Sequence, residues 1–170
     1  AQNFKIKDPY NFCPSPLNFV CHEQIPELMI NDQQLIKDLI SDINNPDIGQ
    51  RTQGRLTSGI QSSGNLFKRQ EPAFKKLHDA LLNAINKYFL RNQNEGNEFI
   101  LSFPKNISFS SAWYVKMQSG GHLSSHIHES GWISGAVYLA IPKDSGPDGQ
   151  EGAIELSSDG DEYPRLHDEF

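Results

Sequence analysis

The strongest constraint on the fold is an apolar run at positions 132–142, with the sequence WISGAVYLAIP. It has the length of a β-strand, it is rich in β-branched and aromatic residues, and it ends at Pro142 before a stretch of Gly, Asp and Ser. β-Branched and aromatic residues favour strands, whereas Gly, Asp and Ser favour turns. A shorter segment follows at 151–156, with the sequence EGAIEL. We therefore predict that the two segments form paired strands.

Three of the six histidines lie just before this run, at His122, His126 and His128. In an extended segment, side chains two positions apart share one face, so His126 and His128 would converge while Ile127 points away. Neutral imidazoles suit iron, zinc, copper or nickel. The spacing predicts a metal-binding pair, although two surface histidines in a polar loop would give the same pattern. His122 is interpreted as a loop residue or an outer partner of the site.

The residues upstream predict a helical layer that leads into strands. Apolar residues recur at helical spacing over 33–43 and again over 71–91, where Pro72 lies in the first turn. The second helix is expected to bury Leu81 and Ile85 against the outer face of a sheet. Strands are predicted at 17–21 and 107–117, and the polar residues 44–65 between the two helices are predicted to form a long loop.

The C-terminal residues resemble the 2-oxoglutarate-dependent Fe(II) oxygenases, in which an H-x-H segment precedes a W-[IL]-S-G-x-x-Y-L-x-x-P strand. A further stretch, QSSGNLF at 61–67, is similar to the segment ahead of the long helix of that family. The residues that carry the first resemblance are Trp113, Gly120, Gly121, His126, His128, Trp132, Ser134, Gly135, Tyr138, Leu139, Pro142, Gly152 and Ile154.

This resemblance implies a mainly β fold with flanking helices, namely a double-stranded β-helix, or cupin-like jelly roll. It places His126 and His128 at the iron-binding H-x-[DE] pair and implies Fe(II) and 2-oxoglutarate as cofactors. Tyr138 would then hydrogen-bond the cosubstrate, or would belong to the core if its ring faces a helix. Trp113 and Trp132 are expected to pack as hydrophobic residues, and Gly120 and Gly121 to form a turn with positive φ.

Two departures from the family pattern bear on the site. His128 stands where a carboxylate is usual, which reduces the negative charge around the metal and favours weaker Fe(II) binding or a different metal. The distal histidine and the basic residue for 2-oxoglutarate do not appear before Phe170, and His167 lies in a polar tail without a strand pattern. We expect the last strands of the jelly roll to be missing from this chain, with weak metal binding, little turnover and self-association through an unpaired edge.

Composition predicts one domain over 1–170, with a helical part at about 1–100 and the β-helix core at about 101–170. The net charge of −6 argues against a nucleic-acid partner. No apolar stretch is long enough for a membrane span, and Cys13 and Cys21 are not spaced as a disulfide scaffold. These features predict a cytoplasmic protein.

The function predicted from these observations is an oxygenase that uses O2 to hydroxylate a substrate whose identity the sequence does not reveal. One alternative is a cupin-like module that holds a metal or small ligand without turnover. A structural zinc site is a third interpretation of the histidine pair.

Overall fold

The computed structural model describes residues 6–142 and 151–157. Short 3-10 turns occur at Pro16–Phe19, Asn31–Gln33 and Leu66–Lys68. The α-helices are α1 (Pro26–Met29), α2 (Gln34–Asp42), α3 (Pro72–Asn92) and α4 (Glu98–Leu101). The strands are β1 (Gln50–Arg51), β2 (Leu56–Ser62) and β3 (Val115–Leu123).

Both helices predicted from apolar periodicity are present. Helix α2 covers most of 33–43, and α3 begins at Pro72, whose fixed φ suits the first helical position. The prediction that Leu81 and Ile85 are buried is wrong, because both side chains are only half-buried. The buried residues of α3 lie nearer its N-terminus, at Ala73, Phe74 and Ala80. Within the described residues, no helix combines the length and apolarity needed to cross a membrane.

The main packing partner of α3 is α2, and not the face of a sheet as predicted. The two helices present complementary apolar stripes, with Leu35 and Leu39 of α2 facing the core that contains Phe74. Burying one stripe against the other satisfies both helices without a broad sheet. The buried cluster consists of Leu28, Leu35, Leu39, Ile48, Leu66, Ala73, Phe74 and Tyr114.

The three strands form one antiparallel sheet in the order β1-β2-β3. Strand β2 lies within 44–65, so the prediction of an uninterrupted loop there is wrong. Its composition is polar, but its last residues, Gln61 and Ser62, are buried. The backbone N–H of Ser62 donates to the Tyr114 carbonyl over 3.1 Å, and the Ser62 hydroxyl oxygen accepts from the Tyr114 N–H over 3.0 Å. Backbone partners that are distant in sequence therefore stabilise this strand. The local pattern of apolar residues does not reveal them.

A wide bulge interrupts the pairing of β2 with β3. Thr57 pairs with His122 and Gly59 pairs with Met117, so Ser58 alone faces residues 118–121. Gly120 has φ +72°, which confirms the predicted positive φ at this residue, but the same prediction for Gly121 is wrong. A Cβ at Gly121 would lie 2.7 Å from the Ser58 carbonyl oxygen, so close backbone approach requires glycine there as well. The bulge lies near the end of β3 that leads into the histidine loop.

Four predicted strands differ in the structure. The segment 17–21 overlaps a 3-10 turn, the strand predicted over 107–117 begins only at Val115, and neither 132–142 nor 151–156 forms a strand. The described residues thus contain a small antiparallel sheet with helices, and they do not form a complete jelly roll. The run at 132–142 instead places Val137 and Leu139 against the helical core. The other side chains of this run are exposed.

An aromatic cluster ties the N-terminal segment to the chain that follows the histidines. The Trp132 ring lies 5.2 Å from Phe12 in an edge contact and stacks 6.3 Å from Phe99. The Phe99 backbone N–H also donates to the Phe12 carbonyl over 3.0 Å. The predicted packing role of Trp132 is therefore confirmed, and this contact anchors the far end of the histidine-bearing loop.

Candidate metal centre

The histidine pair lies in a loop immediately after β3. This strand ends at Leu123, and His126 and His128 follow in irregular, exposed backbone. The extended strand that was predicted to align their side chains is therefore absent. Their rings nevertheless come together, with centroids 5.1 Å apart and ring planes inclined at 42°.

One hydrogen bond determines which nitrogen of His126 carries the proton. The Nδ1 atom lies 2.8 Å from the Ser124 carbonyl oxygen. Because a carbonyl oxygen only accepts, Nδ1 must be the donor. In the neutral imidazole, Nε2 then keeps the lone pair that a metal ion requires. Metal-binding histidines commonly donate their second ring N–H in this way.

His128 is held by two different contacts. Its Nδ1 lies 2.7 Å from the Ser134 hydroxyl, and its ring meets the Trp113 ring edge-on at 5.5 Å. Ser134 belongs to the apolar run 132–142, and Trp113 immediately precedes Tyr114 in the core. Elements on both sides of the loop thus position this imidazole.

A residue that the sequence pattern did not reveal secures the base of the loop. Arg55, directly before β2, accepts a 2.9 Å hydrogen bond at its carbonyl from the Ser124 N–H. Its Nη1 donates over 2.7 Å to the Ser125 carbonyl. The contact spans seventy positions along the chain, so neither spacing nor motif could have indicated it.

The two imidazoles fit a divalent transition metal in donor chemistry and in separation. Metal–nitrogen bonds of about 2.0–2.1 Å place the ring centres of two imidazoles on one ion on the order of 5 Å apart. The observed separation of 5.1 Å agrees with this value. Among residues 6–142 and 151–157, however, no group of three His, Cys, Asp or Glu side chains is placed to hold a metal ion. The described part of the chain thus brings two imidazole rings close together without a third such side chain.

The other candidate residues stand apart from the pair. His122 lies on β3, where its Nδ1 is 3.3 Å from the Gly120 carbonyl oxygen within the bulge. Tyr138 is 49 % exposed and is not a core residue, since its neighbours Val137 and Leu139 contact the core instead. In the described residues no hydrogen bond or ring contact joins Tyr138 to either histidine. His167 lies outside the described residues.

The described residues also form clefts elsewhere on the molecule, two of which are defined by their lining residues. One, of about 460 Å³, lies between the N-terminal segment and the α3–α4 junction, where Asn11, Asn92 and Glu98 line it. The other, of about 390 Å³, lies between α2 and α3 near Asp38 and Asp79. Neither contains His126 or His128. Both histidines are exposed.

Comparison with known families supports the resemblance inferred from the sequence. The family model described as "Putative 2OG-Fe(II) oxygenase" matches residues 111–170. The matched region contains His126, His128 and Tyr138, and the family resemblance is confirmed for this segment. The similar stretch at 61–67 lies outside it. No curated protein and no solved structure matched the chain.

Proposed function

We propose that the histidine loop is part of the metal centre of an Fe(II)- and 2-oxoglutarate-dependent oxygenase that hydroxylates a substrate. The observation that carries the proposal is the 5.1 Å approach of His126 and His128 inside the segment that matches the oxygenase family. The fold class that this family implies is the double-stranded β-helix, and its cofactors are Fe(II) and 2-oxoglutarate.

In this proposal His126 and His128 hold the metal through Nε2. The Ser124 carbonyl and the Ser134 hydroxyl orient the two rings from behind, since each contacts an Nδ1 atom. Tyr138, whose side chain is half-exposed, would provide a hydrogen-bonding hydroxyl for the cosubstrate. Such contacts hold the Nε2 atoms of both rings in the orientation required for binding before a metal ion is present.

When bound, Fe(II) and 2-oxoglutarate supply the oxidation: one oxygen atom of O2 enters a substrate C–H bond as hydroxyl, and the other enters succinate as CO2 leaves. The chain's own contribution is to orient the donors and keep coordination positions open. With two neutral imidazoles in place of an imidazole and a carboxylate, the site carries less negative charge. We expect weaker Fe(II) binding than a carboxylate-containing site would have.

Metal analysis of a matched set of variants tests the proposal. The protein is loaded anaerobically with Fe(II), desalted, and compared with the His126→Ala/His128→Ala double variant and with His122→Ala as control. We expect the double variant to lose bound iron and the control to retain it. Equal iron content in the double variant and the wild type would refute the metal site. Succinate release from 2-oxoglutarate by the iron-loaded protein then tests the oxygenase activity.

The number of donors favours a second candidate function. Because the described residues bring together two histidines without a third protein ligand, a module that binds metal without turnover is also consistent with the site. Such a module would hold iron through the same pair, and it would release no succinate above the double variant. The two assays together therefore separate an oxygenase from a binding module.

A further inference from the structure

We propose that Arg55 is a positioning residue for His126, a role that rests on the proposed function of the histidine loop as a metal site. Through its side chain, Arg55 holds the backbone that carries the Ser124 carbonyl. That carbonyl in turn keeps the proton on His126 Nδ1 and leaves Nε2 free to bind a metal ion.

The backbone of Arg55 continues the ladder between β2 and β3. Leu56 pairs with Leu123, and the hydrogen bond from the Ser124 N–H to the Arg55 carbonyl follows in the same register. Any amino acid at position 55 could accept this bond. The contribution specific to arginine is therefore the second contact, from Nη1 to the Ser125 carbonyl over 2.7 Å.

The two contacts lie on either side of the peptide unit whose carbonyl, that of Ser124, accepts from His126 Nδ1. The Ser124 N–H belongs to the peptide before Ser124, and the Ser125 carbonyl belongs to the peptide that leads into His126. The Ser124 carbonyl lies on the peptide between them. Because each peptide is planar, holding both neighbours limits how far this carbonyl can rotate. Its 2.8 Å contact with His126 Nδ1 is therefore set by Arg55.

Arg55 is itself held in place before it reaches the loop. The Gln53 side-chain oxygen accepts from the Arg55 N–H, and the Leu56 N–H donates to the Gln53 carbonyl over 3.0 Å. Within the part of the chain that the structure describes, Arg55 forms no ion pair with a carboxylate. Its guanidinium donates to the loop through Nη1, and lysine does not reproduce its rigid, planar set of donors.

The tautomer of His126 provides a test that does not depend on activity. The ¹⁵N spectra of the metal-free wild type, Arg55→Ala, Arg55→Lys and the exposed control Arg51→Ala are compared at pH about 8.5, above the ordinary histidine pKa of about 6.5. A His126→Ala sample assigns the signals. We expect Nδ1–H in the wild type and in Arg51→Ala, a shift toward Nε2–H in Arg55→Ala, and an intermediate spectrum for Arg55→Lys.

Zinc titration of the same proteins gives the second measurement. We expect Arg55→Ala to weaken Zn²⁺ binding by about tenfold, with a denaturation midpoint close to that of Arg51→Ala. A His126 tautomer unchanged in Arg55→Ala would overturn the positioning role. If instead the tautomer shifts but the wild type binds no metal, Arg55 still positions His126 and the proposed metal function fails.

Discussion

The α2–α3 region and the loop with the run that follows it, residues 124–142, differ in what stabilises them. In the first region Leu39 and Phe74 are each 1 % exposed. In the second, Ile127 is 65 % and Trp132 is 40 % exposed. Burial of apolar surface stabilises the helices, whereas hydrogen bonds and ring contacts at its two ends hold the histidine loop.

The residues that stabilise the fold and the residues proposed to bind a metal therefore lie in different regions. The fully buried apolar side chains lie in and around the helical core, and neither His126 nor His128 belongs to that cluster. The candidate ligands lie where few apolar contacts constrain them, as is common for loops that carry function. We therefore expect core substitutions to change the stability of the protein, and loop substitutions to change metal binding.

The largest expected effect is in the core. Phe74→Ala removes a side chain that is 1 % exposed, and it should lower the free energy of unfolding by about 3–5 kcal/mol. Leu90→Ala, on the same helix at 57 % exposed, should change it by less than about 0.5 kcal/mol. Urea denaturation measures both. Similar values for the two variants would show that α3 does not anchor the core.

The junction between the two regions should show an intermediate effect. In Gly121→Ala the new methyl group would lie 2.7 Å from the Ser58 carbonyl oxygen and 2.8 Å from that of Gln118. We expect a loss of about 1–3 kcal/mol in unfolding free energy, measured by the same denaturation. Gly54→Ala meets no atom within 4 Å and is the control. A neutral Gly121→Ala would contradict the tight bulge.

In the histidine loop, a small polar deletion should affect binding and leave stability unchanged. Ser134→Ala removes the hydroxyl that contacts His128 Nδ1 at 2.7 Å. Loss of such a partner should weaken Zn²⁺ or Co²⁺ binding by about tenfold or more. Calorimetric titration measures the affinity, with the exposed Ser130→Ala as control. Equal affinities in the two variants would show that the Ser134 hydroxyl does not contribute to metal binding.

The smallest effect concerns pH and belongs to the start of α3. The Arg69 Nε donates to Glu71 over 2.9 Å, and this hydrogen bond lowers the pKa of the Glu71 carboxyl below its ordinary value of 4.5. The unfolded state therefore binds this proton more readily than the folded state. The stabilisation is complete above pH 4.5 and is lost as the pH falls through the lowered pKa.

A double-mutant cycle with Glu71→Gln and Arg69→Gln isolates this contribution. We expect a small coupling at pH 7 that disappears well below pH 4.5, since an ion pair that is partly exposed contributes little. Denaturation midpoints at both pH values measure it. A coupling that persists in acid would show that the contact does not depend on the carboxylate charge.

The elements that could be predicted from sequence are those whose hydrogen bonds are local. Helices α2 and α3 follow from apolar residues three and four positions apart, and Pro72 indicates where α3 begins. The positive φ of Gly120 was correctly predicted because glycine is the residue that adopts this backbone conformation without strain. The approach of His126 and His128 was also anticipated, although its predicted cause, a shared strand face, was wrong.

Tertiary contacts decided the rest. A strand needs a remote backbone partner, so residues 56–62 form β2 by pairing with β3, whereas the apolar run 132–142 forms no strand and places only Val137 and Leu139 against the helical core. The loop conformation that brings the imidazoles together likewise depends on Arg55 and Ser134, which lie on different segments. The residue types that suit a metal can be read along the chain, but the contacts that orient them form only when distant segments meet.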